Sequence, residues 1–279
     1  MKVGILLFEK WHAKKNIGSS RIRGHWLVQN WDEAELFEQG AKYDAIIFQK
    51  VYWADYCKEF DGIKILDVCD PDWFDGVEIK GVIDNCDAVT TSTGELRDEI
   101  KKFAGDKPVV YIPDRQDLKY HNGKKVHEGR AKRVVWFGYS HNVKVLDKTI
   151  GLLRKHNLSL TVLSDARPPY TKADRNVRFR WDKEGFNFNK IILGHDIVIM
   201  PPYTIAKGRF KSPNKTYTSW ALGMPVATTP EELERFLDPV ERQKEADKRY
   251  KEVVNKYEIS QSVNDFKNLI NQIHESRKR

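Results

Sequence analysis

The sequence has little cysteine, three residues in 279, and Cys57, Cys69 and Cys86 lack any Cys-x-x-Cys spacing. An odd, scattered set excludes a disulfide framework and a zinc ribbon, and fits a reducing compartment. No run of about 18 apolar residues occurs, so no membrane span is expected. The apolar start Val3 to Phe8 gives way at once to Glu9-Lys10, too short for the core of a secretion signal. A cytoplasmic protein is therefore expected. Low-complexity tracts and internal repeats are missing as well.

What is present suffices for a core, with 40% hydrophobic and 11% aromatic residues. The formal charge of +8 is unevenly spread. Residues 1–125 hold 19 basic and 22 acidic side chains, residues 126–215 hold 18 and 7, and residues 216–279 hold 11 of each. The positive field thus belongs to the middle of the chain and suits a phosphate-bearing partner, a nucleotide or a nucleic acid. Taken singly, many of these side chains read equally well as a solvated face.

Short apolar, β-branched runs alternate with helical patterns, which predicts parallel strands with crossover helices. The expected strands are Val3–Phe8, Ala45–Gln49, Lys64–Val68, Ala88–Thr91 and Val109–Ile112, then Arg133–Phe137, Ser159–Leu163, Val177–Phe179, Ile197–Met200 and Pro225–Ala227. Arg115 to Lys132 is polar and aperiodic and reads as a linker, placing domains at 1–125 and 126–279. Helices follow Thr228, and Asn264–His274 carries an apolar stripe through Phe266, Leu269, Ile270 and Ile273 that is expected to pack back on the first domain. The terminal Arg277-Lys278-Arg279 reads as a solvated tail. The fold class is α/β, two Rossmann-like domains with ligands in a cleft at their strand carboxyl ends.

The loops after the strands are where chemistry is expected. Gly18-Ser19-Ser20 after the first strand suits a helix start whose backbone N–H groups take an anion, although Ser-Ser there is commonly only a cap. Arg21 and Arg23 reach an acceptor or phosphate on this reading and are solvated on the plainer one; His25 follows as a candidate acid or base. Among Asp67, Asp70, Asp72 and Asp75, Asp70 is the preferred general base, and Asp72 and Asp75 suit a turn. The spacing lacks the glycine and distal glutamate of a calcium loop, and no metal is expected. In the second half Gly138 permits close ligand approach, with Tyr139 beside it and Lys144 near a phosphate. The richest stretch is Lys207 to Thr228, where Lys211, Ser212, Asn214, Lys215 and Thr216 sit where a basic loop enters a helix, a favourable seat for a diphosphate.

Lys215 followed by Ala221-Leu222-Gly223-Met224-Pro225-Val226 resembles the donor-site motif of GT-B glycosyltransferases of the family 4-like group. Lys64 to Asp70, Cys86 to Thr93, Val110 to Asp114 and His195 to Pro201 resemble further family segments in the same order, so the likeness runs from the first strand to about Phe236. The resemblance implies a hexosyl- or pentosyltransferase that takes a nucleotide-diphosphate sugar, held mainly by the second domain, with no cofactor. The family's glutamate pair falls here on Phe210 and Thr218, and its arginine on Tyr139. Size and charge suit DNA carrying a modified base as the acceptor, as in phage enzymes of this fold, with Trp11, His12, Lys14, Lys15, Arg167, Arg175, Arg178 and Arg180 as candidate contacts. A cell-surface glycan or lipid acceptor, a nucleic-acid-binding module without catalysis, and a sugar epimerase of the same architecture are the alternatives.

Overall fold

The computed structural model describes the chain except for residues 15–16, 166–169, 180–186 and 204–205. It divides into two compact units. The first comprises Met1–Asp117, Arg209–Ser212 and Glu258–Arg279; the second comprises Leu118–Gly208 and Pro213–Tyr257.

The first unit holds β1 (Val3–Leu7), β2 (Ala34–Leu36), β3 (Ala45–Gln49), β4 (Ile63–Val68), β5 (Ala88–Thr91) and β6 (Val109–Tyr111). They form one parallel sheet in the order β2-β1-β3-β4-β5-β6. β1 and β3 are buried along their whole length, as strands covered on both faces must be. One face is covered by the helix Ile259–Arg277, whose Phe266, Leu269, Ile270 and Ile273 share a core with Val3, Ile5, Ala45 and Ile65. β2 has no counterpart in the sequence reading, because Ala-Glu-Leu is too short to show a periodicity and is held in place by its pairing to β1.

The second unit holds β7 (Arg133–Phe137), β8 (Ser159–Ser164), β9 (Arg175–Arg178), β10 (Ile197–Ile199) and β11 (Val226–Ala227), parallel in the order β11-β10-β7-β8-β9. The helix Pro230–Arg235 starts in a capping box, Thr229 accepting from the Glu232 N–H, and the helix Pro239–Lys256 starts at Asp238, which accepts from the Val240 N–H.

The sequence expectations are refined at the linker, the boundary and the tail. Arg115 to Lys132 does contain the change of unit, but it is packed rather than loose: Gln116, Asp117, His121 and His127 are buried. Its first residues belong to the first unit, where the Gln116 carbonyl accepts from the Ile259 N–H at 3.0 Å. Its later residues belong to the second, where the Lys125 N–H donates to the Leu222 carbonyl at 2.9 Å. The change of unit therefore comes after Asp117, before residue 125, and the chain re-enters the first unit at Glu258. Arg277 to Arg279 are exposed, as a solvated tail would be, yet Arg277 is held: its guanidinium pairs with the Asp87 carboxylate at 2.8 Å and donates to the Asp61 and Gly62 carbonyls.

Candidate functional site

Both sheets have a switch point, where successive connections leave a strand in opposite directions and ligands of open α/β sheets bind. In the first sheet it lies between β1 and β3. Gln49, the last residue of β3, is fully buried; its Oε1 accepts from the Ser20 hydroxyl at 3.0 Å and from the Phe8 N–H at 3.3 Å. This ties the loop after β1 to the strand end and fixes the Gly18–Ser20 helical turn, with Gly18 and Ser19 in the first unit rather than among the second unit's groups.

Next to Gln49, Lys50 has φ of 53°, a left-handed backbone unusual for a side-chain-bearing residue and held by its N–H bond to the Asp67 carbonyl. Its buried ammonium lies 2.8 Å from Asp70 and 3.2 Å from Asp72. Lys211, expected among the donor contacts, instead reaches the other Asp70 oxygen at 2.7 Å within the first unit. Burial pushes the Asp70 carboxyl up, but Lys50 and Lys211 outweigh it and hold it below the usual carboxylate range. Asp70 is thus an ionised, doubly paired group and a poor proton acceptor. Lys50 escaped the sequence reading; its place directly after a strand was the available signal.

His25 is differently held. Its Nε2 contacts the Glu9 carboxylate, and Glu9 stands two residues past β1. A carboxylate on one ring nitrogen sets the tautomer and leaves Nδ1 as the acceptor, the arrangement a general base needs. Glu9 was also missed, being charged and in a short helix without buried residues.

Arg23 is turned into the fold rather than presented to an acceptor. It is 3% exposed, bonds the Asp67 carboxylate through two nitrogens at 2.5 and 2.7 Å, and reaches Asp114 at 3.0 Å. Two buried carboxylates claim it because each alone would be costly to bury. Arg21 lies over the Trp26 ring, 5.3 Å from its centroid. Cys69 is buried, which pushes its thiol well above the usual range and makes it no nucleophile.

In the second sheet the switch point lies between β7 and β10. There a cavity of about 680 Å³ opens at the carboxyl ends of β7, β10 and β11, with Lys144, Tyr203, Thr228 and Thr229 in its wall. Lys215, in the first turn of the helix Asn214–Ala221, extends its ammonium to the Tyr203 hydroxyl at 2.7 Å and over the Trp136 ring at 5.3 Å from its centroid. A β-carbon on Gly138 would lie 3.2 Å from this ammonium. Gly138, Lys144 and Lys215 are thereby brought to one end of one sheet. Asn214 and Thr216 flank Lys215 in that first turn, both half-buried. Tyr139 stacks on His141, which also lines the cavity, with centroids 5.9 Å apart. The Ser212 hydroxyl is buried and belongs with the first unit.

Phe210 and Thr218, which carry no carboxylate, are both buried. Phe210 packs on Phe74 and Trp73, with centroids 5.6 and 6.4 Å apart. Of the candidate nucleic-acid contacts, Lys15, Arg167 and Arg180 lie outside the described residues. Trp11 is 42% exposed and its ring lies 4.6 Å from that of Trp53. No group of histidine, cysteine or carboxylate side chains suited to a metal ion occurs among the described residues, and none of their helices is long and apolar enough to cross a membrane.

No protein-family model matches the chain. No curated protein matches it either. Solved structures do. S. aureus TarM is 12% identical over 88% of this chain with a TM-score of 0.61, and the match spans only 57% of the TarM chain. The DNA-modifying enzyme β-glucosyltransferase, studied with and without uridine diphosphoglucose, is 12% identical with a TM-score of 0.59 over 97% of this chain and 99% of its own. AviGT4, a glycosyltransferase involved in avilamycin A biosynthesis, is 11% identical with a TM-score of 0.57 over 98% of both chains. The fold is that of the GT-B glycosyltransferases.

Proposed function

We propose that the chain is a glycosyltransferase that moves a sugar from a nucleotide-diphosphate sugar to an acceptor hydroxyl. The observation that carries this reading is the cavity at the second switch point, with Lys144 in its wall and Lys215 joined to it through Tyr203. In the transfer, the bond between the sugar's anomeric carbon and the diphosphate oxygen breaks, and a bond to the acceptor oxygen forms. The diphosphate leaves with the electron pair, and its growing charge is met by Lys215, Lys144 and the backbone N–H groups opening the helix Asn214–Ala221. The acceptor proton passes to His25, oriented by Glu9. Asp70, tied to Lys50 and Lys211, joins the loops that follow β3 and β4 to the Arg209–Ser212 segment.

For the acceptor we favour DNA bearing a hydroxylated base. The support is the likeness, over nearly the whole of both chains, to a DNA-modifying β-glucosyltransferase. The excess of 18 basic over 7 acidic residues in 126–215 agrees with it.

The test is thermal stability with UDP, GDP, ADP, CMP or dTDP for wild type and Lys215→Ala, since a ligand of the native state raises its stability. One diphosphate is expected to stabilise the wild type and hardly the variant; its labelled sugar nucleotide is then offered with hydroxymethylated DNA, a glycan and a lipid. Stabilisation by none of the nucleotides would sink the transferase reading. Transfer to glycan or lipid alone would leave the transferase and remove DNA as acceptor.

A further inference from the structure

The second sheet has another concavity, at the opposite end from the donor cavity, where β7, β8 and β9 begin. Its volume is about 420 Å³, and its wall carries Arg133, Arg175, Lys190, Asp174 and His195. Arg133 opens β7 and pairs in register with Ser159, while Arg175 opens β9 and pairs with Thr161. Parallel pairing on the two sides of β8 therefore brings both guanidinium groups to one edge. Lys190 comes from the helix Phe188–Leu193, capped by the Asn187 side chain.

Cations outnumber carboxylates at this edge, and the two carboxylates near it are engaged: Asp196 accepts from the Lys132 and Arg133 N–H groups, each at 2.9 Å. Asp174 is already engaged, accepting from Arg154 at 2.9 Å and from the Leu160 N–H at 2.7 Å. Nearby cations elsewhere have partners: Lys172 is 2.7 Å from Asp147, and Lys155 is 3.0 Å from Glu234. Arg133, Arg175 and Lys190 have no side-chain ion pair among the described residues. His195 adds no charge, because burial, and then the charges of Arg133 and Arg175, push its imidazole below the usual range. Its two ring nitrogens are occupied by the Ile191 carbonyl at 2.7 Å and the Thr161 hydroxyl at 2.8 Å. Three like charges around a concavity repel one another, and an oxyanion between them relieves that repulsion while filling the guanidinium forks.

We propose that this concavity binds phosphate oxyanions as a site separate from the donor cavity. The length of β7, about 16 Å at about 3.3 Å per residue, lies between the two, so a nucleotide sugar in one does not occupy the other. The same oxyanions come from a nucleic-acid backbone or from free phosphate. The proposal does not rest on the transferase reading.

The experiment uses the full chain as wild type, as Arg133→Ala/Arg175→Ala/Lys190→Ala, and as Arg133→Lys/Arg175→Lys, which keeps the charge. Fluorescence anisotropy with labelled duplex DNA over a range of salt, and calorimetry with inorganic phosphate, are the readouts. Circular dichroism and stability toward urea report folding, and Arg175→Gln alone is the milder variant should the triple one be unstable. Loss of about tenfold or more in DNA affinity in the triple variant, a salt slope smaller by about 2 to 3, and an intermediate affinity with a near-normal salt slope in the lysine variant, which keeps the charge but not the fork, identify a nucleic-acid backbone as the ligand. Loss of phosphate binding with unchanged DNA binding identifies free phosphate and equally supports the site. A folded triple variant that binds both like wild type, or a wild type that binds neither, overturns the proposal.

Discussion

The Lys215 ammonium lies 3.2 Å from the point where a β-carbon on Gly138 would stand, so the glycine holds open the space the lysine uses. The same β-carbon would meet the Trp136 ring at 3.0 Å. Gly138→Ala should therefore displace the flexible end of Lys215 more readily than the ring. We expect the diphosphate-induced rise in Tm to shrink markedly, with a loss of unliganded stability of about 1 kcal/mol. Paired melts with and without nucleotide check this; an undiminished ligand shift would refute the role of Gly138.

Arg23 and Asp67 form a buried pair, and removing one partner leaves the other charged and unpaired. Arg23→Ala should cost about 3 to 5 kcal/mol by urea unfolding. Arg21→Ala, at a half-buried position, should cost far less. Equal costs would contradict the structural assignment of Arg23.

Glu9 contacts His25 Nε2, and on the proposed mechanism it is a positioning residue. In Glu9→Gln we expect kcat to fall about tenfold or more with KM nearly unchanged, and His25→Gln to fall further, because proton transfer contributes on the order of a hundredfold or more. Steady-state kinetics decide, and a loss confined to KM would mean that the pair binds substrate instead.

Stability should decline below neutral pH. Burial holds His127 and His195 below the ordinary imidazole value of 6.5. As pH drops through 6.5 the unfolded chain takes up protons that these folded imidazoles refuse, so unfolding is favoured progressively until their own lower values are reached. Asp70 acts only at more acid pH, its carboxyl being held below the usual range, with stability lost as pH falls through that lower value. Urea melts from pH 7 to 5 should show the decline, flattened in His195→Gln; a pH-independent midpoint would contradict it.

Much of this protein was legible from local pattern. Apolar runs such as Ala45 to Gln49 are strands in any context that covers both faces, and the stripe through Phe266, Leu269, Ile270 and Ile273 defines a helix with one buried side. Gly138 stood out as a glycine directly after a strand, and Lys215 as the opening of a helix after a basic loop. Partnership was not legible. Arg21 and Arg23 look alike in the sequence, yet Asp67 and Asp114, distant in the chain, bury one of them. Glu9 and Lys50 seemed ordinary until the parallel order of β1, β3 and β4 brought them beside His25 and Asp70. The aperiodic stretch from Arg115 to Lys132 read as a linker because its burial rests on contacts with residues such as Leu222 and Ile259. Sequence by itself determined most of the strands and where charge accumulates, since propensity and periodicity act over neighbouring residues, while the short β2 took its place only by pairing with β1. Only the tertiary structure decided which charges are neutralised and which remain available, because an ion pair depends on distance in space.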